Sequence, residues 1–173
     1  MCKGRYPEQM SHIDSTTLNS CAQYYINNAC SKEHKFTTDK MPHNYLYLGV
    51  IHQLFPDSKI INVNRHPVDN CLSIYFQFFN DSHRYATSLS NIAHHYSGHH
   101  TLMNYWKKQF SESILDIHYE DIINNTRDEI SRILGFLGVN WEENCLQHDK
   151  NKRHVLTASQ QQVNKPIYTQ SIE

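Results

Sequence analysis

Residues 61–77, INVNRHPVDNCLSIYFQ, place an arginine and a serine where an apolar segment meets a helical one. Arg65 stands just past the apolar segment KIINV, and ligands of open α/β sheets collect beyond the ends of the strands. A guanidinium can hold a phosphate through two parallel hydrogen bonds. Ser73 lies in the second turn of the helical segment, where its hydroxyl can reach the same oxygens if that helix packs back along the strand. The pair indicates an anion site, although the spacing alone also fits a surface salt bridge and an ordinary helical serine.

Two other groups of side chains could bind a metal ion or act as acids and bases. In HHYSGHH, residues 94–100, His95 and His99 are one helical turn apart, which is a spacing used by metal ligands. Structural zinc needs four converging ligands, however, and adjacent histidines on a helix point about 100° apart. We therefore predict no metal ion. The pair Glu120 and Asp121 is interpreted as the start of a helix, where negative charge is favourable, rather than as an acid–base pair.

The segments that must position these residues alternate between strand and helix patterns. Apolar spacing predicts helices at 16–30, 44–55, 67–79, 90–110 and 122–137, and strands at 59–63 and 114–119. Pro67 suits the first turn of its helix and Gly138 suits a helix end. The aromatic run Tyr75, Phe76, Phe78 and Phe79 is expected to pack against the sheet rather than to stack on a nucleotide. The alternation favours an α/β fold with parallel, buried strands, and the polar residues from 156 onward read as a loop or tail.

Composition restricts the class of protein. A chain of 173 residues suits one domain, and 16 basic against 17 acidic residues argue against a partner such as nucleic acid or an anionic membrane. There is no apolar run of membrane-spanning length and no apolar signal-peptide core at the N-terminus. Five cysteines without a CxxC pair predict reduced thiols and a cytoplasmic location. No Walker loop or GxGxxG turn is present.

Six blocks of sequence, in order along the chain, carry a resemblance to a known family. They are RYPEQM, DKMP, FPDSKIINVNRHP, IHYEDII, ILGFLGV and TASQQQVNKPIYTQS. These blocks resemble the sulfotransferases that use 3′-phosphoadenosine 5′-phosphosulfate (PAPS), especially the bacterial enzymes often fused to tetratricopeptide repeats and the related tyrosylprotein sulfotransferases. The resemblance implies one sulfotransferase domain over residues 1–173, with a three-layer α/β/α fold, a parallel sheet and a relation to the P-loop nucleotide-binding folds.

The resemblance also assigns roles to the residues of the strand-to-helix junctions. Arg65 and Ser73 match the family's clamp on the 3′-phosphate of PAPS. Tyr119 matches the tyrosine of the family's YED segment, which lies near the adenosine and the 3′-phosphate. Gln77 stands where the tyrosylprotein enzymes have a further basic residue, so this contact differs from the family pattern.

Three more residues receive roles by the same resemblance. Lys40, in DKMP, matches the family lysine that contacts the sulfuryl group and the bridging oxygen of the leaving phosphate. Ser159 and Lys165 match the phosphate-contacting residues of a segment that folds over the nucleotide. The family reaction uses no metal. His43 is a candidate replacement for the general base, although cytosolic sulfotransferases place their histidine two, not three, residues after the lysine.

Some parts of the family pattern are not in these 173 residues. The Gly- and Ser/Thr-rich loop that wraps the 5′-phosphosulfate, and the carboxylate that serves as general base, would precede the first residue. The expected partners are therefore the nucleotide donor, a hydroxyl-bearing acceptor, and a segment or chain that supplies the loop. Protein tyrosine, carbohydrate, lipid and small-molecule acceptors all stay open. The alternative is a truncated, non-catalytic remnant or subunit that keeps only the 3′-phosphate half of the site.

Overall fold

The computed structural model describes residues 6–31, 33–77, 79 and 81–147. Within these ranges the α-helices are α1 Ser15–Ala29, α2 Leu48–Leu54, α3 Pro67–Phe76, α4 Leu89–Gln109, α5 Tyr119–Asn124 and α6 Thr126–Leu137, and the strands are β1 Ile60–Asn64 and β2 Ile114–His118. Short 3₁₀ helices lie at Glu8–His12, Asn44–Tyr47, Asp81–Thr87, Ser111–Ser113 and Glu143–Leu146. The chain divides into two compact units, Met1–Ser58 and Lys59–Glu173. That one sulfotransferase domain spans the whole chain stays a prediction.

The first unit is helical. Helix α1 begins after Asp14, whose carboxylate accepts a 2.7 Å hydrogen bond from the backbone N–H of Thr17. This contact satisfies one of the N–H groups that a helix start leaves unpaired. The helix predicted at 44–55 begins with one 3₁₀ turn before α2, and the buried Leu48 is the first residue of α2.

The second unit contains a parallel pair of strands. Strands β1 and β2 run parallel in a register that pairs Ile60 with Ile114 and Asn64 with His118. The carboxyl ends of both strands therefore lie side by side at one edge of the sheet. Parallel strands among helices confirm the predicted α/β class, and both strands lie within one residue of their predicted bounds.

The helices that follow the strands differ from prediction in two places. Helix α3 ends at Phe76 instead of residue 79. The single helix predicted at 122–137 is wrong, because the structure has two helices, α5 and α6, with a break at Asn125 (φ −133°, ψ 47°). The stop at Gly138 is confirmed: it adopts the left-handed conformation, with φ 68°. Glu120 and Asp121 lie in the first turn of α5, as predicted.

In the described part of the second unit, the buried apolar side chains come from α4, β2 and the 3₁₀ segment before α4. They are Ile92 and Met103 of α4, Ile114 and Ile117 of β2, and Ala86 of the preceding 3₁₀ segment. The expectation of strands buried on both faces is wrong for Val63 of β1, which is 57% exposed. The expectation that the aromatic run packs against the sheet is also wrong for Tyr75 and Phe76, which are 44% and 79% exposed and contact each other edge to face. A sequence pattern records apolar character but not which elements cover it.

Candidate functional site

Arg65 and Tyr119 meet at the paired carboxyl ends of the two strands. Arg65 follows the last residue of β1, and Tyr119 follows the last residue of β2. The Arg65 Cζ atom lies 5.2 Å from the centroid of the Tyr119 ring, which is a cation–π distance. The structure therefore brings together two of the residues selected from the sequence. A guanidinium held on an aromatic face is orientated, and its N–H groups can still bind an anion.

The backbone beside Arg65 is held by a carboxylate from the other strand end. The N–H group of His66 donates a 2.8 Å hydrogen bond to Oε1 of Glu120. Desolvation acts to raise the pKa of Glu120, but the hydrogen bonds from the N–H groups of His66 and of Glu120 itself, with the nearby His118 and Arg65, lower it overall. The side chain therefore stays ionised at neutral pH. Its contact with the β1–α3 junction was not predicted, because it depends on the register between two strands that are far apart in the sequence.

Ser73 and Gln77 lie on the helix that follows Arg65. Ser73 is in the second turn of α3 with an exposed side chain, and Gln77 is the half-buried residue at the C-terminal end of that helix. The joint action of Arg65 and Ser73 as a phosphate clamp stays a prediction.

Lys40 lies in the first unit and is exposed. The residue before it, Asp39, is fixed by two hydrogen bonds, from the Tyr25 hydroxyl at 2.5 Å and from the Asn44 amide at 3.2 Å. The hydrogen bond to Asp39, with desolvation and the electrostatic effect of the nearby Asp39 and Cys30, raises the pKa of Tyr25 to about 12. These contacts hold the chain next to Lys40, whose own role stays a prediction.

The remaining candidates have different positions. His43 precedes the 3₁₀ helix Asn44–Tyr47, and its ring centroid lies 6.4 Å from that of Tyr45. Ser159 and Lys165 lie outside the described residues, so their predicted phosphate contacts stay predictions.

A polar cluster on the sheet was missed by the sequence reasoning. Asp116 of β2 accepts hydrogen bonds from Lys107 Nζ at 2.7 Å, Asn62 Nδ2 at 2.6 Å and Asn64 Nδ2 at 3.4 Å. Desolvation acts to raise the pKa of Asp116, but these hydrogen bonds and the charge of Lys107 lower it overall. Asn64 directly precedes Arg65, so the cluster also fixes the end of β1. The alternation of Asn62 and Asn64 in KIINVN was the available signal.

The histidine run lies on α4 beside this cluster. His95 stacks on Tyr85 with a centroid distance of 4.0 Å, and His100 shares a 3.2 Å hydrogen bond with Asn104. Burial is the main cause that lowers the pKa of His99, and the nearby His95, His100 and Lys107 lower it further. The charge of Asp116 acts in the opposite direction but does not reverse the shift. In the part of the chain that the structure describes, no three His, Cys, Asp or Glu side chains are arranged to hold a metal ion.

Comparison with known proteins identifies the family. The sequence signature described as "Sulfotransferase family" matches residues 5–143, which is most of the chain. The chain therefore belongs to the sulfotransferase family. A protein of Aquifex aeolicus (strain VF5), named "Uncharacterized protein", is similar, with 35% identity over 173 residues. The match covers 97% of this chain and 23% of that relative, so the chain spans about a quarter of the relative's length. Among the described helices, none is both long enough and apolar enough to cross a bilayer.

Proposed function

We propose that this chain forms the nucleotide-binding part of a sulfotransferase that transfers a sulfuryl group from PAPS to an acceptor hydroxyl. The observation that carries the proposal is the contact of Arg65 with Tyr119 at the paired ends of β1 and β2. Ligands of open α/β sheets bind beyond such strand ends. Membership of the sulfotransferase family supports a sulfuryl-donor nucleotide as the ligand.

The 3′-phosphate of the donor is the group that Arg65 binds in this proposal. Its guanidinium offers two parallel N–H donors to the phosphate oxygens, and the Tyr119 ring lies against the adenosine side of the ligand. Ser73 adds a hydroxyl from α3. Ser159 and Lys165 complete the phosphate contacts in the proposal by their match to the family segment that covers the nucleotide.

In the transfer step the acceptor oxygen forms a bond to sulfur while the bond from sulfur to the bridging phosphate oxygen breaks. The leaving group is adenosine 3′,5′-bisphosphate, which gains negative charge on the former bridging oxygen. The ammonium group of Lys40 stabilises this developing charge, and such an interaction counts more in the transition state than in the ground state. The proton of the acceptor hydroxyl passes to a base on a partner segment or chain, or to His43 within this chain.

The proposed partners are the nucleotide donor, a hydroxyl acceptor and a segment or chain that supplies the phosphosulfate loop. A tyrosine-containing peptide is the first acceptor to test, because the sequence blocks resemble those of the tyrosylprotein enzymes. We propose a cytoplasmic location, which suits the free thiols of Cys21, Cys30, Cys71 and Cys145.

Calorimetric titration with adenosine 3′,5′-bisphosphate tests the binding part of the proposal. Arg65→Ala should weaken binding about 10- to 100-fold, because it removes charge-assisted hydrogen bonds to phosphate. Arg84→Ala is the matched control, since it removes one guanidinium from an exposed position in Asp81–Thr87 and should leave affinity unchanged. Tight binding that Arg65→Ala does not change would disprove the site.

Transfer of labelled sulfuryl groups from PAPS to a tyrosine peptide tests the chemical part. Lys40→Ala should reduce kcat about 100-fold or more while changing nucleotide affinity far less. Lys108→Ala, at an exposed position in α4, is the control. His43→Ala with an unchanged rate would remove His43 as the base. Nucleotide binding without any transfer, even when the segment that carries the phosphosulfate loop is supplied, would favour the non-catalytic alternative.

A further inference from the structure

Glu120 links the two strand ends at which Arg65 and Tyr119 lie. We infer that Glu120 is a positioning residue that sets the direction of the Arg65 side chain by holding the backbone N–H of His66. This inference rests on the proposed function, in which Arg65 binds the 3′-phosphate. It assigns to the second residue of the YED segment a role distinct from that of the tyrosine before it.

The peptide bond between Arg65 and His66 transmits this effect. A peptide unit is planar, so the N–H of His66 and the C=O of Arg65 lie in one plane. The 2.8 Å hydrogen bond to Glu120 Oε1 fixes that plane, and it therefore restricts the ψ angle of Arg65. Pro67 follows immediately and has no backbone N–H, so His66 supplies the last backbone donor before α3.

Two successive residues thus hold Arg65 from opposite ends. The ring of Tyr119 lies 5.2 Å from the guanidinium carbon, and the carboxylate of Glu120 holds the backbone that follows Arg65. An arginine loses considerable rotamer freedom when it binds a ligand in one geometry. A side chain that is orientated beforehand loses less on binding, which favours affinity.

The charge of Glu120 acts in the opposite direction from its hydrogen bond. A carboxylate near Arg65 repels an incoming phosphate, so loss of the charge alone should strengthen nucleotide binding. Loss of the hydrogen bond should weaken binding, because the junction is no longer held. Glutamine keeps an acceptor oxygen and removes the charge, whereas alanine removes both. The two substitutions therefore separate positioning from electrostatics.

Calorimetric titration of the full chain with adenosine 3′,5′-bisphosphate provides the test. We expect Glu120→Ala to weaken binding about tenfold, which is the lower end of the effect of losing a hydrogen bond to a charged group. Glu120→Gln should bind as tightly as the wild type or more tightly. Asp121→Ala and Asp121→Asn are matched controls, since Asp121 is the exposed neighbour of like charge in the same turn of α5, and both should stay within about twofold.

A second measurement does not require nucleotide. The amide proton of His66, followed by NMR as the pH is lowered below 4.5, the ordinary pKa of Glu120, should shift as Glu120 becomes protonated, and this shift below pH 4.5 should vanish in Glu120→Gln. Asp69 lies 3.9 Å from the His66 ring, so Asp69→Asn is the control and should retain the shift.

The outcomes distinguish this inference from the proposed function. If Arg65→Ala weakens binding while Glu120→Ala does not, the positioning role is wrong and the proposed function stands. Tighter binding by both Glu120 variants would also overturn it, because charge alone would then explain Glu120. If Arg65→Ala has no effect or the wild type binds no nucleotide, the proposed site fails. If the chemical shift of the His66 amide proton did not respond to protonation of Glu120, the contact itself would be refuted.

Discussion

Asp116 brings three donors together on one face of the sheet, and its removal should destabilise the second unit. Asp116→Ala leaves the buried amide of Asn62 and the ammonium of Lys107 without this acceptor. We expect the free energy of unfolding to fall by about 2 kcal/mol, as for the loss of hydrogen bonds to a charged group. Urea unfolding measures the change. Glu112→Ala, at an exposed position before β2, is the control and should change stability by less than about 0.5 kcal/mol.

The same substitution should alter the response of the protein to acid. The pKa of Asp116 is lower in the folded protein than its ordinary value of 3.8. The ionised carboxylate therefore stabilises the fold at pH values above 3.8. This contribution is lost as the pH falls through 3.8 towards the lower folded value. The difference in unfolding free energy between wild type and Asp116→Ala should therefore shrink as the pH falls from about 6 to about 3. A difference that stays constant over this range would contradict the role of the ionised carboxylate.

At the scale of the element, Gly138 ends α6 in a conformation that other residues rarely adopt. With φ at 68°, it lets the N–H of Val139 donate to the Leu134 carbonyl at 3.0 Å. A Cβ at Gly138 would meet no atom within 4 Å, so Gly138→Ala tests backbone strain alone. It should lower the free energy of unfolding by about 1 kcal/mol.

A glycine inside a helix provides the control for this prediction. Gly98 lies in the middle of α4, and a Cβ there would also meet no atom within 4 Å. Gly98→Ala should raise the free energy of unfolding by about 0.5 to 1 kcal/mol, because alanine favours the helix. Thermal or urea unfolding should thus give opposite signs for the two variants. Equal effects would mean that Gly138 is not strained by a side chain.

Apolar periodicity predicted most elements, because each of them begins and ends close to where its apolar pattern begins and ends. It predicted α1, α4, β1 and β2 to within one residue at every end. It missed the break at Asn125, because the apolar positions continue across the break and conceal it. The hydroxyl of Thr126 donates to the Ile122 carbonyl at 2.7 Å, and such local hydrogen bonds compete with regular helix geometry.

At the scale of the whole molecule, the site was predictable where a local pattern determines it. Arg65 was selected from its place after an apolar strand, and the parallel register brings Tyr119 to it. The contact of Glu120 with His66 and the cluster around Asp116 depend on which residues of separate strands face one another. No local pattern contains that information. The proposed role of Lys40 required the family resemblance, because an isolated exposed lysine has no chemical signature.

The alkaline stability of the whole molecule should depend on one tyrosine. The hydrogen bond to Asp39, with desolvation and nearby negative charge, raises the pKa of Tyr25 from 10.0 to about 12. A group whose pKa is raised on folding binds its proton more tightly in the folded state. Its contribution to stability is therefore complete below pH 10 and is lost as the pH rises towards 12.

Tyr25→Phe should lower the free energy of unfolding by about 1 kcal/mol at neutral pH, where the hydrogen bond to a charged acceptor is intact. The difference from wild type should disappear as the pH approaches 12, as measured by urea unfolding at a series of pH values. Tyr24→Phe, one position earlier on α1 at a ring that is 72% exposed, is the control and should follow the wild type throughout. Parallel curves for wild type and Tyr25→Phe would show that ionisation of Tyr25 is not linked to folding, and that Asp39 is held before Lys40 by other contacts.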